Sequence, residues 1–240
     1  MLSPNPPEHT SSDMATDPLG VPDLPTREQL DAAKKEYLTR GAPFKADVTI
    51  VDLGQGPMVV KDFAARSWWR RLIGRVEVSH ECRAYAYLGS IPCFPRFIGR
   101  IDANALAVEK VVGVSLAQVT DIDDRREAYL TQLRTAFKRL TALGFLHLDA
   151  RAYRNVLVQP DSTIKFIDLA GSFWIPPGRL GHRMLRSFLR LYYEANTIKW
   201  ETLLHPGGDP RLGQPKPPRY VHGLRDLLTA WKRLRSRRKG

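Results

Sequence analysis

The sequence predicts an α+β protein whose first half is rich in strands and whose second half is rich in helices. Apolar and β-branched residues dominate the first half in short runs, as in "ADVTIVDLGQGPMVVKDF". From residue 125 the apolar residues recur at helical spacing, as in "RREAYLTQLRTAFKRLTALGF". One polar hairpin, "NVLVQPDSTIKFIDLAG", interrupts this helical half. We therefore expect a small antiparallel sheet with one main helix, followed by a mostly helical part.

Cap and turn signals place the first elements. Thr26 and Gln29 have the spacing of a capping box, and Gly41 is a stop signal, so we expect one amphipathic helix over 27–41. The turn at 54–57, "GQGP", joins two extended runs into a hairpin.

The next elements alternate between helix and strand. Lys61 ends the second strand of the hairpin. A helix is expected around 76–90, with Glu77 and Glu81 one turn apart on the same face. Short strands follow at 95–103 and 105–112.

The second half begins with the clearest helical pattern of the chain, at 125–145. Two short strands flank the turn Pro160-Asp161-Ser162. The segments 183–204 and 222–240 then have helical patterns again.

Composition and charge divide the chain into three parts. The first 26 residues contain six prolines, four acids and no Lys or Arg, which predicts a disordered leader. Residues 211–240 contain ten Lys or Arg against one acid, within a net charge of +12, and we expect a basic helical tail that favours an anionic partner. Neither a secretory signal nor an apolar run long enough to span a bilayer is visible, so we expect an intracellular protein. Cys82 and Cys93 have the spacing of neither a zinc site nor a disulfide framework.

Four polar residues occupy short apolar strands or the loop between them in "HLDARAYRNVLVQPDSTIKFIDLAG", residues 147–171. They are His147, Asp149, Asn155 and Asp168. Because a buried polar group without a partner is costly, residues at such places usually have a partner or a ligand.

The order of these residues resembles the protein-kinase-like fold. Lys61 lies on a strand and Glu81 on the next helix, and both precede the HxD motif, Asn155 and Asp168. The segments "VVKDF", "HECRAYAYL", "GFLHLDARAYRNVLV" and "IKFIDLAGS" are most similar to the bacterial lipopolysaccharide kinase and RIO-like branch, over residues 46–205. The resemblance implies a two-lobed domain over 27–210, with a small lobe at about 27–110 and a larger lobe at about 111–210.

The resemblance also implies site residues and cofactors. Lys61 would contact the ATP phosphates and Glu81 would hold Lys61, with Glu77 as a rival for that role. Asp149 would receive or orient the proton of an acceptor hydroxyl, while Asn155 and Asp168 would bind Mg²⁺ and His147 would brace the loop. The remaining ATP contacts would come from Gly54 and Gly56 in a reduced glycine loop, "LGQGP", and from the backbone of Glu109 and Val111 in "VEKVVG".

Two departures from the family pattern keep alternatives open. Five residues separate Asp149 from Asn155, where the usual loop has four, and the glycine loop has two glycines instead of three. The leading hypothesis is an ATP- and Mg²⁺-dependent kinase that phosphorylates a sugar of a lipopolysaccharide core. The alternatives are a RIO-like serine/threonine kinase and a pseudokinase that binds a membrane or RNA.

The segment "RSWWRRLIGR", residues 66–75, has two interpretations. It is either a loop whose tryptophans pack on the small lobe, or an interfacial segment whose tryptophans and arginines contact an anionic membrane. Because apolar residues accompany the charge both here and in the tail, we favour a membrane surface over nucleic acid as the partner. We therefore expect a cytoplasmic protein that is peripheral at the inner face of the membrane.

Overall fold

The computed structural model describes residues 23–40, 45–119, 124–150 and 152–205 of the chain. These residues form an α+β fold with four α-helices and a five-stranded antiparallel sheet, which confirms the predicted fold class at that level. Residues 1–22 of the expected leader and the whole expected tail, 211–240, lie outside the described residues.

The main sheet has the strand order β1-β2-β3-β5-β4, in which every neighbouring pair is antiparallel. Its strands are β1 (Lys35–Thr39), β2 (Asp47–Asp52), β3 (Pro57–Asp62), β4 (Phe97–Arg100) and β5 (Ala105–Glu109). Helix α1 (Arg27–Ala32) precedes the sheet, and α2 (Trp68–Leu88) connects β3 to β4.

The predicted single helix over 27–41 is wrong beyond its first turns. The capping box of Thr26 and Gln29 is present, but α1 ends at Ala32. Residues 35–39 instead form β1, which pairs with β2 from Lys35 opposite Val51 onward. Since β1 is short, charged and mostly exposed, it has the character of an edge strand, and pairing outweighs its helix propensity.

Two apolar clusters cover the two faces of the sheet. The smaller cluster lies under α1 and consists of Leu30, Val51, Met58, Val60, Ala105 and Ala107. The larger cluster lies on the other face, where it joins α2 to the helices and short strands of the second half. Residues 23–26, which belong to the expected leader, are held here: Asp23 and Gln55 exchange hydrogen bonds of 2.6 and 2.9 Å.

The second half consists of two long helices and five short strands. The helices are α3 (Arg126–Leu143) and α4 (His182–Leu203), and the strands are β6 (Val114–Ser115), β7 (Phe145–His147), β8 (Val156–Val158), β9 (Ile164–Phe166) and β10 (Ser172–Trp174). β8 and β9 form the predicted hairpin and β6 extends it, while β10 pairs with β7. This second pairing places Ser172 opposite His147.

The segment "RSWWRRLIGR" is helical from Trp68 onward, so the interpretation of it as a loop is wrong. Helix α2 is therefore two turns longer at its start than predicted. None of the helices in the described part of the chain has the length and apolar character that crossing a bilayer requires.

Candidate functional site

Lys61 lies at the centre of a charged cluster that joins three separate segments. Its Nζ lies 2.7 Å from Oε1 of Glu81 and 2.9 Å from Oδ1 of Asp168. Lys61 reaches the cluster from β3, Glu81 from the inner face of α2, and Asp168 from the segment after β9. The structure thus brings together three residues that are 20 and 107 positions apart in the sequence.

Burial and charge act in opposite directions in this cluster. Burial alone would lower the pKa of Lys61, but the carboxylates of Glu81 and Asp168 outweigh it, and the pKa rises. Burial would raise the pKa of Asp168, but the charge and hydrogen bond of Lys61 outweigh it, and that pKa falls. Lys61 and Asp168 therefore both favour their charged forms around neutral pH.

Asp168 combines this charge with an unusual backbone. Its φ of 68° lies in the left-handed region, which few residues other than glycine adopt. The next residue, Leu169, is buried and donates its N–H to Oε1 of Glu81 at 3.3 Å. The left-handed turn leaves the Asp168 side chain 44% exposed, so its carboxylate can meet both Lys61 and a ligand.

The loop that carries Asp149 is held by its own backbone. Ala150 N–H donates to His147 O, Ala152 N–H donates to Asp149 O, and Asn155 N–H donates to Ala152 O. The His147 ring is fully buried next to Phe94 and Phe166, and burial lowers its pKa to about 4. His147 is therefore neutral at physiological pH, and its ring packs against Phe94 and Phe166.

Asp149 and Asn155 lie next to the segment that contains Asp168. A methyl group added to Gly171 would lie 3.2 Å from Oδ2 of Asp149, so this glycine leaves room for the carboxylate. The carbonyl of Asn155 accepts the N–H of Ile167, the residue before Asp168, at 2.9 Å. The two predicted metal residues and the predicted catalytic carboxylate are thus on adjoining segments.

Two tyrosines of α4 also support the loop, and the sequence analysis missed them. Tyr192 donates its hydroxyl to the carbonyl of Leu148 at 2.9 Å. Tyr193 accepts the N–H of His147 at 2.9 Å and donates to Phe145 O at 2.9 Å. The available signal was that a tyrosine in a buried helical stripe needs a partner for its hydroxyl. It does not say which carbonyl, about 45 residues away, would be the partner.

The structure separates Gly54 and Gly56 from Lys61. Both glycines have positive φ, 89° and 104°, in the tight turn between β2 and β3. Lys61 is four residues beyond Pro57, which at the rise of a strand is about 13 Å further along β3. The prediction that this turn contacts the phosphates held by Lys61 therefore needs correction. Lys61 instead pairs with Val48 near the start of β2, and Val48 pairs with Thr39 at the end of β1.

The segment proposed to contact adenine begins where β5 ends. Glu109 donates its N–H to Arg96 O at 2.9 Å, and its carboxylate accepts from Arg96 N–H and contacts Lys165 at 3.2 Å. The Glu109 side chain thus braces the end of β5, and the backbone contacts of Glu109 and Val111 with adenine stay a prediction. Val111 lies in the short segment without regular secondary structure between β5 and β6.

The residues present fit the Mg²⁺ that the resemblance implies. Mg²⁺ prefers oxygen ligands and is usually bound by one or two protein oxygens together with waters and substrate phosphates. Asp168 supplies a half-exposed carboxylate, and Asn155 directs its Nδ2 at Asp149 O, 3.5 Å away, which leaves its amide oxygen as the remaining ligand atom. No group of three His, Cys, Asp or Glu side chains suited to a metal occurs among the described residues.

A cavity of about 880 Å³ lies apart from this cluster. The end of α2, the loop after it, α3 and β9 form its walls, which include Cys93, Phe94, Arg139 and Lys165. None of the clustered site residues lines it, so it is a space separate from the charged cluster.

Comparison of the chain with protein-family models and with curated proteins finds no match.

Proposed function

We propose that this protein is an ATP- and Mg²⁺-dependent phosphotransferase that phosphorylates a hydroxyl group. The observation that carries the proposal is the ion cluster of Lys61, Glu81 and Asp168, with Asp149 and Asn155 on the adjoining segments. In protein kinases a lysine of the third strand pairs with a glutamate of the following helix, and an aspartate and an asparagine bind the metal. Because β1 precedes the hairpin, Lys61 here lies on the third strand.

The proposed arrangement has two lobes. The five-stranded sheet with α2 would be the small lobe, and α3, α4 and the short hairpins would be the larger one. The nucleotide would lie between them, where β3 and α2 face the segments that carry Asp149 and Asp168. The end of β1 and the start of β2 would lie nearest the phosphates, since Thr39 and Val48 share the Lys61 end of the sheet.

Each residue has a defined role in the transfer. Lys61, held in place by Glu81, binds the α- and β-phosphates of ATP. Asp149 accepts the proton of the acceptor hydroxyl while the hydroxyl oxygen forms a bond to the γ-phosphorus of ATP. The bond between the γ-phosphorus and the β–γ bridging oxygen breaks, so the products are a phosphate ester and ADP. Bound Mg²⁺, held by Asp168 and Asn155, would neutralise charge on the phosphates.

Nucleotide binding by full-length protein tests this proposal. We expect MgATP to bind the wild type and raise its melting temperature, and Asp168→Asn to remove the Mg²⁺-dependent part of that rise. Asp149→Asn should keep nucleotide binding and lose phosphoryl transfer by about a thousandfold or more, because it removes the proton acceptor.

The outcomes separate the alternatives. Absence of MgATP binding at millimolar concentration would overturn the proposal and favour a pseudokinase. If binding is present, radiolabelled transfer to a lipopolysaccharide-core glycolipid and to a protein mixture distinguishes a sugar kinase from a RIO-like serine kinase. Unchanged transfer in Asp149→Asn would remove Asp149 from the mechanism.

A further inference from the structure

The first two turns of α2 carry an exposed apolar stripe that the core does not use. Its members are Trp68, Trp69, Leu72, Ile73 and Val76, and Trp68 and Val76 are each 69% exposed. At 100° per residue these five side chains fall within an arc of about 140°. The buried residues of the same helix, among them Gly74, Val78 and Glu81, lie on the opposite side.

Helix stability alone does not account for this stripe. The exposed face of a helix in a globular protein normally carries charged or polar residues. Contiguous large apolar groups there mark a surface that another partner covers. Their position at the start of α2 leaves them outside the packing that holds Glu81 in place.

The charge at this end of α2 points to an anionic partner. The segment 66–76 has four arginines and no acid, and the first turn of α2 contains no acidic residue. Positive charge at a helix N-terminus opposes the helix dipole, so these arginines do not serve the helix itself. Arg66 pairs with Asp47 and Arg75 bonds to Asn104, whereas Arg70 lies over the Trp69 ring at 4.8 Å. Tryptophan beside arginine is the pairing that interfacial membrane segments use.

The stripe continues towards the candidate site through β10. His80, one turn after Val76, places its Nε2 2.9 Å from the carbonyl of Ser172. The next residue, Phe173, is half exposed. Ser172 pairs with His147, two residues before Asp149.

A second exposed apolar group follows β10. Leu180 is fully exposed and Met184 is largely so, and both lie between the exposed arginines 179, 183 and 186. His182, beside them, is tied to Ile175 of the same segment by its Nδ1 at 2.8 Å. Apolar side chains with neighbouring arginines therefore occur both on α2, which contacts β10, and in the segment that follows β10 in the chain.

We propose that these residues form a docking face for an anionic phospholipid bilayer. The docking face consists of Trp68, Trp69, Leu72, Ile73, Val76, Phe173, Leu180 and Met184. The protein binds the bilayer surface through it, with the apolar side chains in the interfacial layer and the arginines at lipid phosphates. Because the docking face reaches the strand that pairs beside Asp149, the acceptor hydroxyl belongs to a lipid-linked molecule presented from that surface. This last step rests on the proposed function, whereas membrane binding does not.

Co-sedimentation of the full chain with vesicles tests membrane binding without ATP. The vesicles are phosphatidylcholine alone and phosphatidylcholine mixed with phosphatidylglycerol, each at low and high salt. We expect the wild type to bind the mixed vesicles, and Trp68→Ser/Val76→Ser to bind them at least about tenfold more weakly, because two apolar side chains no longer insert. The loss should persist at high salt, which screens charge but not apolar insertion.

The matched control makes the same change on another helix. Leu191 and Ile198 are exposed apolar residues of α4 outside the docking face, and Leu191→Ser/Ile198→Ser should bind within about twofold of wild type. Quenching of tryptophan fluorescence by brominated lipid should fall in Trp68→Phe, since Trp68 would insert.

Three results would overturn the inference. One is equal vesicle binding by the wild type and Trp68→Ser/Val76→Ser, which would leave the membrane contact to the basic tail. Another is no vesicle binding by the wild type. The third is self-association that the double substitution abolishes without any effect on vesicles, which would make the face a contact between two copies. Vesicle binding in a protein that transfers no phosphate would leave membrane docking intact and overturn only the proposed function.

Discussion

Lys61 keeps its charge inside the protein because two carboxylates surround it. Glu81, only 1% exposed, makes the shorter contact, and Glu77 lies one helical turn earlier on the same helix. The pKa of Glu77 is raised by burial and by the nearby charge of Glu81. The structure therefore selects Glu81 from the two candidates that the sequence offered.

Glu81→Gln should lower kcat/KM for ATP by about 10- to 100-fold, because Lys61 loses the charge that positions it. Glu77→Gln is the matched control and should change kcat/KM by less than about threefold, because Glu77 makes no direct ion pair with Lys61. Steady-state ATP turnover with any accepted hydroxyl compound measures both. A reversed order of effects would return the role to Glu77.

Burial lowers the pKa of His147 from 6.5 to about 4, and this predicts a pH dependence of stability. Between these values the unfolded chain binds a proton that the folded chain does not, so folding stability is full above pH 6.5 and falls as the pH decreases towards 4. From pH 7.5 to pH 5 the loss from this residue should be about 2 kcal/mol. Urea unfolding at both pH values measures it.

His147→Gln should reduce this pH-dependent loss, whereas the exposed His205→Gln should leave it unchanged. The stability of His147→Gln at neutral pH does not enter the comparison, since each variant is compared with itself at two pH values. Equal pH dependence in all three proteins would show that His147 is protonated in the folded state.

At the level of single residues, the sequence predicted which residue types form the candidate site better than it predicted which of them contact each other. Asp149, Asn155 and Asp168 follow one another within 20 residues, so their motif is visible in the sequence. The choice between Glu77 and Glu81 depends on how α2 is rotated against the sheet, which only packing decides. The room that Gly171 leaves for Asp149 is likewise a property of two segments meeting.

Among the elements, β1 is the strand that the sequence analysis predicted as a helix, and this error changed the interpretation of the Gly54 turn. "KKEYLT" contains strong helix formers and follows a real capping box, so the local signal favoured a helix. Pairing with the exposed edge of β2 makes it a strand. Missing this strand made the Gly54 turn look like the phosphate loop, although it lies at the other end of β3.

Gly54→Ala/Gly56→Ala should therefore affect stability without affecting nucleotide binding. Both residues have positive φ, where an alanine is strained, so we expect a loss of about 2 kcal/mol in the free energy of unfolding. The dissociation constant for MgATP should stay within about twofold of wild type. Weaker MgATP binding with unchanged stability would restore the turn as a phosphate loop.

Helix α4 acts on the Asp149 loop through its two tyrosine hydroxyls. Tyr192→Phe/Tyr193→Phe should reduce kcat several-fold with little change in KM for ATP, because the loop loses support while the cluster around Lys61 keeps its contacts. Tyr87→Phe is the control, because the Tyr87 hydroxyl donates to Leu143 O at 2.6 Å, away from the Asp149 loop. Loss of this hydrogen bond should lower the free energy of unfolding by about 1 kcal/mol and leave kcat unchanged. Equal kcat in the double variant and Tyr87→Phe would make both tyrosines purely structural.

For the molecule as a whole, the cluster around Lys61 ties the sheet to the segment after β9. Lys61→Met leaves Glu81 buried without its cation, which should cost about 3 kcal/mol in the free energy of unfolding. Adding Glu81→Leu removes that buried charge, so Lys61→Met/Glu81→Leu should recover about half of the loss or more. Urea unfolding checks this, and additive losses would show that the two residues do not interact energetically.

The overall class of the fold was predictable because hydrophobic periodicity changes clearly near residue 125. The strand order was not, since it depends on pairings such as β3 with β5 that join distant parts of the chain. For the exposed stripe on α2, the sequence showed only that segment 66–75 is rich in tryptophan and arginine. Its exposure follows from which side of α2 faces the core, and that requires the completed fold.

The left-handed backbone at Asp168 restricts how this protein could lose its proposed activity over evolutionary time. Glycine, asparagine and aspartate tolerate that conformation best. Single-nucleotide changes of an aspartate codon reach both asparagine and glycine. The two replacements that best fit this backbone thus both remove the carboxylate that pairs with Lys61, so loss of the proposed activity is a single-nucleotide change away from a residue that this backbone still accommodates.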